Sequence, residues 1–303
     1  MDNPPVTESG FFEARYRAFL ETIAHLRPKL HRYCARMTGS VFDGEDVVQD
    51  ALFQAYRKLD TFDDRRPLAP WLFRIAHNCC IDFLRKRGVR VEAEAASLEP
   101  EDAVPPSEPL DMPIGKAVEQ LVLTLPPKER ACVLLKDVFD YSLEEIADLV
   151  DSTVGGVKAA LNRGRSKLTS RSAAAPAPRE VNQQDAELLR LYVDRFNRRD
   201  WDGLRELISA DARLAVPDGF AGRLVDSPYF GTYETLPTEW RMAVGQVDGE
   251  PVVIVLNRVA DGWVRVGAVR LAMANGEILA IADYWRCPWI LAAASTVVED
   301  ASR

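Results

Sequence analysis

Positive charge gathers at the end of one segment, residues 70–87, PWLFRIAHNCCIDFLRKR. Arg85, Lys86 and Arg87 close it, and Arg74 and Asn78 lie off the face formed by Trp71, Leu72, Ile75, Ala76, Cys79 and Phe83. That spacing predicts an amphipathic helix with one buried side. Cations clustered this way are the footprint of a nucleic-acid contact. A second group follows in SLEEIADLVDSTVGGVKAALNRGR, which has the layout of a helix-turn-helix. Ile146, Ala147, Val157 and Leu161 are its apolar anchors, leaving Ser152, Thr153, Lys158, Asn162, Arg163 and Arg165 outward. Such a face fits a major groove and its phosphates. An ordinary helical hairpin with a solvated basic face fits the same residues.

The elements that hold these groups read as follows. FEARYRAFLETIAHLRPKLHRYCARMTG predicts one or two helices ending near Gly39, and DGEDVVQDALFQAYRKL a helix with acids in its first turn. Ser142 and Glu145 form a capping box. The segment VEAEAASLEPEDAVPPSEPLDM is aperiodic, acidic and Pro-rich, and SAAAPAPRE is equally uncommitted, so both read as linkers. The last block opens with a helical run, DAELLRLYVDRFNRRDWDGLRELI. It turns to strands in EPVVIVLNRV, DGWVRVGAVRLAM and GEILAIADYW, separated by Asp-Gly and Asn-Gly turns. The fold class is therefore multidomain, two all-α domains followed by an α+β domain.

The 303 residues carry a formal net charge of −8, unevenly spread. Residues 1–90 hold +3, residues 91–112 hold −7, residues 113–180 hold +1 and the remainder −5. The positive charge is local, so an acidic total does not exclude nucleic acid. No apolar run is long enough to span a bilayer, and the start lacks the pattern of a signal peptide. Five scattered cysteines suit free thiols in a reducing cytoplasm. Cys79–Cys80 has no nearby ligand cluster, so no metal and no cofactor are expected.

Together the blocks DGEDVVQDALFQAYRKLDTF, PWLFRIAHNCCIDFLRKR and LPPKERACVLLKDVFDYSLEEIADLV…VKAALNRGRSKL resemble the extracytoplasmic-function (ECF) group of sigma-70 factors over about 160 residues. The resemblance implies a sigma-2 domain at 10–88, an acidic linker at 89–112 that threads RNA polymerase, and a sigma-4 helix-turn-helix domain at 113–171. An Ala/Pro linker at 172–182 leads to the last domain at 183–291. It further implies that Asp46, Gln49 and Asp50 dock on the β′ clamp of core polymerase, with the β flap a second contact. Arg65, Arg66, Trp71, Arg74, Asn78, Arg85, Lys86 and Arg87 would meet the melted −10 promoter element. Ser152, Thr153, Lys158, Asn162, Arg163 and Arg165 would meet the −35 element. Trp71 fits either a wedge against DNA or a core residue supporting the loop. The acidic linker fits either a mimic of a nucleic-acid strand or a solvated spacer.

Four positions depart from the family pattern. Gly155–Gly156 weaken the start of the recognition helix, Ala160 stands where many relatives have a basic residue, and Asp151 replaces the tight-turn glycine. Weak or unusual −35 preference is expected from these changes.

In the third block, RFNRRDWDGLREL followed by DARLAVP resembles the SnoaL-like, cone-shaped domains. That implies a built-in regulator and lessens the need for a separate anti-sigma factor. ADYWRCPWIL does not match the C-terminal motifs of the commonest such groups. Tyr233, Trp240, Arg241, Asp283, Tyr284 and Trp285 are candidates to line a pocket for an apolar small molecule, and an ordinary small core has the same composition. All three histidines precede residue 80, so the block lacks the usual neutral-pH acid–base group. The expectation is a cytoplasmic initiation factor and not an enzyme. Two rivals remain: a ligand-responsive helix-turn-helix regulator working without core polymerase, and a SnoaL-type enzyme with a DNA-binding attachment.

Overall fold

The computed structural model of the chain describes residues 8–63, 65–95, 122–169 and 182–299. Most of the acidic linker, residues 96–112, and of the Ala/Pro linker lie outside them. The chain divides into two compact units, residues 1–175 and 176–303.

In the first unit, α1 (Glu8–Thr38) is a single helix with Pro28 inside it. It ends at Gly39, whose φ of +87° is open to glycine at little cost. Ser40 then caps α2 (Val41–Arg57), accepting a hydrogen bond from the Asp43 amide. The two helices touch closely, since a Cβ on Gly44 would lie 2.6 Å from the Ala35 backbone. The basic helix α3 (Leu68–Ala95) runs past the predicted boundary at 88. Its extension, VRVEAEA, holds neither Gly nor Pro.

The helix α4 (Pro127–Val133) continues into a π-helical turn, Leu134–Val138. The helix-turn-helix follows as α5 (Leu143–Leu149) and α6 (Val154–Thr169). The expected capping box is formed, with Ser142 and Glu145 bonding each other's backbone amides. Ile146, Ala147, Val157 and Leu161 are buried, as their spacing predicts. The two helical domains that were expected are in contact, and their buried side chains form one cluster. Tyr33, Leu72, Phe73, Leu134 and Ile146 belong to the same buried cluster.

The second unit begins with α7 (Gln183–Asn197), capped by Asn182, and α8 (Trp201–Glu206), capped by Asp200. Strands β1 (Ile208–Val216), β2 (Phe220–Arg223), β3 (Trp240–Val247), β4 (Glu250–Val259), β5 (Gly262–Ala274), β6 (Glu277–Asp283) and β7 (Val297–Glu299) form one sheet. Their order is β2-β1-β6-β5-β4-β3-β7. The predicted strands are β4, β5 and β6, joined by tight turns; Asn275-Gly276 has both φ angles positive, as hairpin turns favour. Among the described residues only the β1–β6 pair is parallel, which requires the intervening chain to cross over. The domain also continues past the predicted end at 291, because β7 pairs with the edge of β3. Helix α9 (Tyr229–Glu234) joins α7 in covering one face, and α10 (Pro288–Ala293) packs on β5.

Candidate nucleic-acid interface

Helix α3 presents its cations to water while its other side is core. Arg74, Asn78, Arg85, Lys86 and Arg87 are exposed, and Leu72, Phe73, Ala76 and Cys80 are buried. Three of the cations have carboxylate partners. Arg85 meets Asp82 at 3.1 Å, Arg87 meets Asp43 at 3.4 Å, and Arg74 meets Asp151 at 3.7 Å. Exposed pairs of this kind contribute about 0–1 kcal/mol each, little enough for a phosphate to displace them. Arg65 and Arg66 are exposed in the preceding loop, where Asp63 accepts from the Arg65 amide and lies 4.0 Å from the Arg66 guanidinium. Trp71 is half-buried and packs on Phe62, with ring centroids 4.6 Å apart. The indole therefore supports the loop from the core side.

A buried link under α3 escaped the sequence reading. The Tyr33 hydroxyl and His77 Nδ1 are 2.8 Å apart, tying α1 to α3. Burial pushes the His77 imidazole down to about 4, so it is neutral at pH 7. A histidine on an apolar helix face was the available signal.

On α2, Asp46 and Asp50 are exposed and Gln49 is half-buried, one turn apart on one face. The same surface carries Phe53 and Tyr56, 63% and 47% exposed, which sequence reading did not single out. Both stand at helical spacing from Asp46 and Gln49 on that face. Glu45 points the other way and pairs with Arg27 inside the core.

On α6, Lys158, Asn162, Arg163 and Arg165 are exposed, and in the turn before it Thr153 is exposed and Ser152 half-buried. Thr153 caps the helix through the Gly156 amide at 3.0 Å. Three cations of this helix are engaged within their own domain. Arg163 and Lys167 both grip Glu129, at 2.9 and 2.8 Å, and Arg165 is bidentate on Asp137. The Lys167 bond, with that of Arg163, holds the Glu129 carboxyl below its usual range against the opposing effect of burial. Ala160 is fully buried, so this departure from the family pattern fills a core position and removes no cation from the exposed face.

The six candidate pocket residues do not form one group. Tyr233, Trp240 and Trp285 join a cluster around Phe196. Asp283 is buried beside it and accepts from the hydroxyls of Tyr229 and Tyr233 at 2.8 and 2.6 Å and from the Trp285 amide at 2.8 Å. Burial raises the Asp283 carboxyl above its ordinary value. Arg241, by contrast, follows Trp240 on β3 and so faces the other side of the sheet, near Trp263 and Glu299. Strand alternation was legible, and it excludes Arg241 from the group. Tyr284 is buried outside that cluster. Tyr229, which sequence reading missed, takes part through the network.

Among the described residues, no group of three or more His, Cys, Asp or Glu side chains is placed to hold a metal ion. No helix among them is long and apolar enough to cross a membrane.

Residues 22–90 match the family model for Sigma-70 region 2, and residues 115–168 match that for Sigma-70, region 4. The chain is 34% identical to the ECF RNA polymerase sigma factor SigW of Bacillus subtilis, over 50% of this chain and 87% of SigW. It is 33% identical to the ECF RNA polymerase sigma factor SigG of Mycobacterium tuberculosis, over 70% of this chain and 62% of SigG. A 70% match exceeds what residues 1–175 alone supply, so it reaches into the C-terminal unit. Among solved structures, the M. tuberculosis ECF sigma factor SigJ covers 88% of this chain and 95% of its own, at 16% identity and a TM-score of 0.36.

Proposed function

The chain belongs to the ECF RNA polymerase sigma factors, and from that premise we propose how its surfaces divide the work of initiation. The acidic and aromatic face of α2 docks on core polymerase through Asp46, Gln49 and Asp50. The cationic side of α3, with Arg65 and Arg66 before it, holds the melted −10 strand. Helix α6 lies in the major groove at −35, led by Lys158 and Asn162. Arg163 and Arg165 swing between their internal carboxylates and DNA phosphates.

The observation that carries this reading is the cationic side of α3. Its groups are fixed by a helix whose other face is core, and their internal partners are weak enough to be replaced. A cation set so placed neutralises phosphates without first being ordered.

For the C-terminal domain we propose regulation in cis, by contact with the sigma modules or polymerase. Its buried carboxylate is already satisfied by two tyrosines and a backbone amide, which favours a structural network over catalysis.

Run-off transcription with core polymerase tests the division. Charge reversal at Asp46 and Asp50 is expected to abolish core binding measured by co-migration. Neutralising Arg85, Lys86 and Arg87 is expected to spare core binding and reduce open complexes. Normal transcription by both variants would refute the assignment.

A further inference from the structure

Helix α6 carries four cations, Lys158, Arg163, Arg165 and Lys167, and one carboxylate of its own domain holds two of them. Glu129 of α4 is 6% exposed, and each of its oxygens takes a different cation. Oε1 accepts from Arg163 Nε at 2.9 Å, and Oε2 accepts from Lys167 Nζ at 2.8 Å. Arg163 and Lys167 stand one turn apart, so both reach the same side of the helix. Gly164 lies between them where the two helices meet, and an added Cβ there would come within 2.9 Å of Val133 Cγ2. Lys158 and Asn162 are exposed and take no part in this grip. The grip is not what places the helix, since Val157, Ala160 and Leu161 already anchor α6 in the core. Nor is it an ordinary surface pair. A nearly buried carboxylate stripped of its partners is destabilising, whereas an exposed one returns to water.

We propose that Glu129 is a positioning residue that sets the specificity of the −35 contact, by withholding Arg163 and Lys167 from DNA of the wrong sequence. The inference rests on the −35 role given above to α6. DNA of any sequence attracts a protein through its phosphates, and each cation set against a phosphate adds to that attraction. A carboxylate that engages two cations removes part of it. On a matched site Lys158 and Asn162 enter the groove, and the docked helix holds Arg163 beside a fixed phosphate. Arg163 exchanges partners there, while Lys167 stays and keeps Glu129 paired. The second cation thus lets the first leave without stranding a buried charge. On unmatched DNA the helix is not so held, and nothing offsets the loss of the Arg163 bond. Lys158 and Asn162 read the sequence, and Glu129 penalises contact made without reading.

Two measurements test this. In the first, the full-length chain is titrated with a labelled duplex of random sequence at several salt concentrations. Glu129→Gln, which keeps the shape and drops the charge, should tighten this non-specific binding by about fivefold and steepen the slope of log K against log salt by about one to two. A residue that only fastened α6 to α4 would weaken binding when replaced, and so would a variant that had unfolded. Asp148→Asn removes an equal charge from the exposed side of α5 and should give a much smaller gain. An equal gain would reduce the effect to net charge and overturn the proposal. The converse uses exposed cations alone. Lys158→Gln should flatten the slope by about 0.9, and Arg163→Gln by much less, because Glu129 already engages it. Equal flattening by both would also overturn it. In the second measurement, holoenzyme selects from a duplex pool randomised upstream of the start site. Wild type should enrich a −35 motif, and Glu129→Gln the same motif with its preference over unmatched DNA reduced about fivefold. If the variant equals wild type in preference and slope, Glu129 is a fastening and the −35 role of α6 stands. If wild type enriches no motif there, that role falls and this inference with it.

Discussion

Arg85 and Asp82 meet in water, 72% and 56% exposed, whereas Asp283 meets Tyr229 and Tyr233 inside a core. The first arrangement is replaceable, since a phosphate offers an arginine as much as an exposed carboxylate does. The second is not, because each partner removed leaves a buried polar group unsatisfied. The N-terminal unit thus holds its functional charge on fixed helices with provisional partners. In the C-terminal domain Asp283 is turned inward and finds its partners there. The difference is why one region reads as a surface for another molecule and the other reads first as architecture.

The comparison breaks most easily at the cationic end of α3. Replacing Arg85, Lys86 and Arg87 together by Ala should lower open-complex formation by about 10²-fold or more, with thermal stability little changed. A large drop in stability instead would mean these residues are structural. In the C-terminal domain the opposite pattern is expected. Asp283→Ala should destabilise that domain by about 2–4 kcal/mol in denaturant unfolding, and Asp283→Asn by less because an acceptor remains.

Acidity separates the two regions further. His77 is held at about 4 when folded and returns to about 6.5 when unfolded, so between these values the unfolded state binds more protons. Its contribution is fully present above pH 6.5 and is lost as the pH falls toward 4, by up to about 3 kcal/mol. His31, also lowered chiefly by burial, acts in the same direction. The C-terminal domain holds no histidine. Its Asp283 is raised above 3.8, so acidification through the folded value favours the native state. Hydrogen exchange on the intact chain from pH 7 to 5 should therefore show protection falling in α1 and α3 and holding in β5 and β6. The smallest effect is expected at Gly155. An added Cβ there meets only Thr153 Oγ1, at 3.9 Å, so Gly155→Ala should stabilise α6 by up to about 1 kcal/mol, read as a higher Tm.

Much of the N-terminal unit was legible because its signals are local. The apolar spacing of α3, the acids opening α2 and the Ser142–Glu145 box each fall within a few residues. The shared core was not, since nothing local announces that Phe139 will meet Tyr33 and Phe73 across more than sixty residues. In the C-terminal domain the hairpins β4–β6 were read from alternation and turn residues. The parallel β1–β6 pair and the late strand β7 depend on distant partners and were not. The site followed the same rule. Exposed cations on α3 and α6 were named correctly as exposed, and their carboxylate partners, lying in other elements, were invisible. Asp283 was named for its type, while its link to Tyr229 waited on the fold.

The near contact of Gly44 with Ala35 has one more consequence. With 2.6 Å between a would-be Cβ and the neighbouring backbone, α2 has no room to roll or slide on α1. Asp46, Gln49 and Phe53 are indexed to the body of the unit before any encounter. If core polymerase docks there as proposed, the docking forfeits little chain entropy.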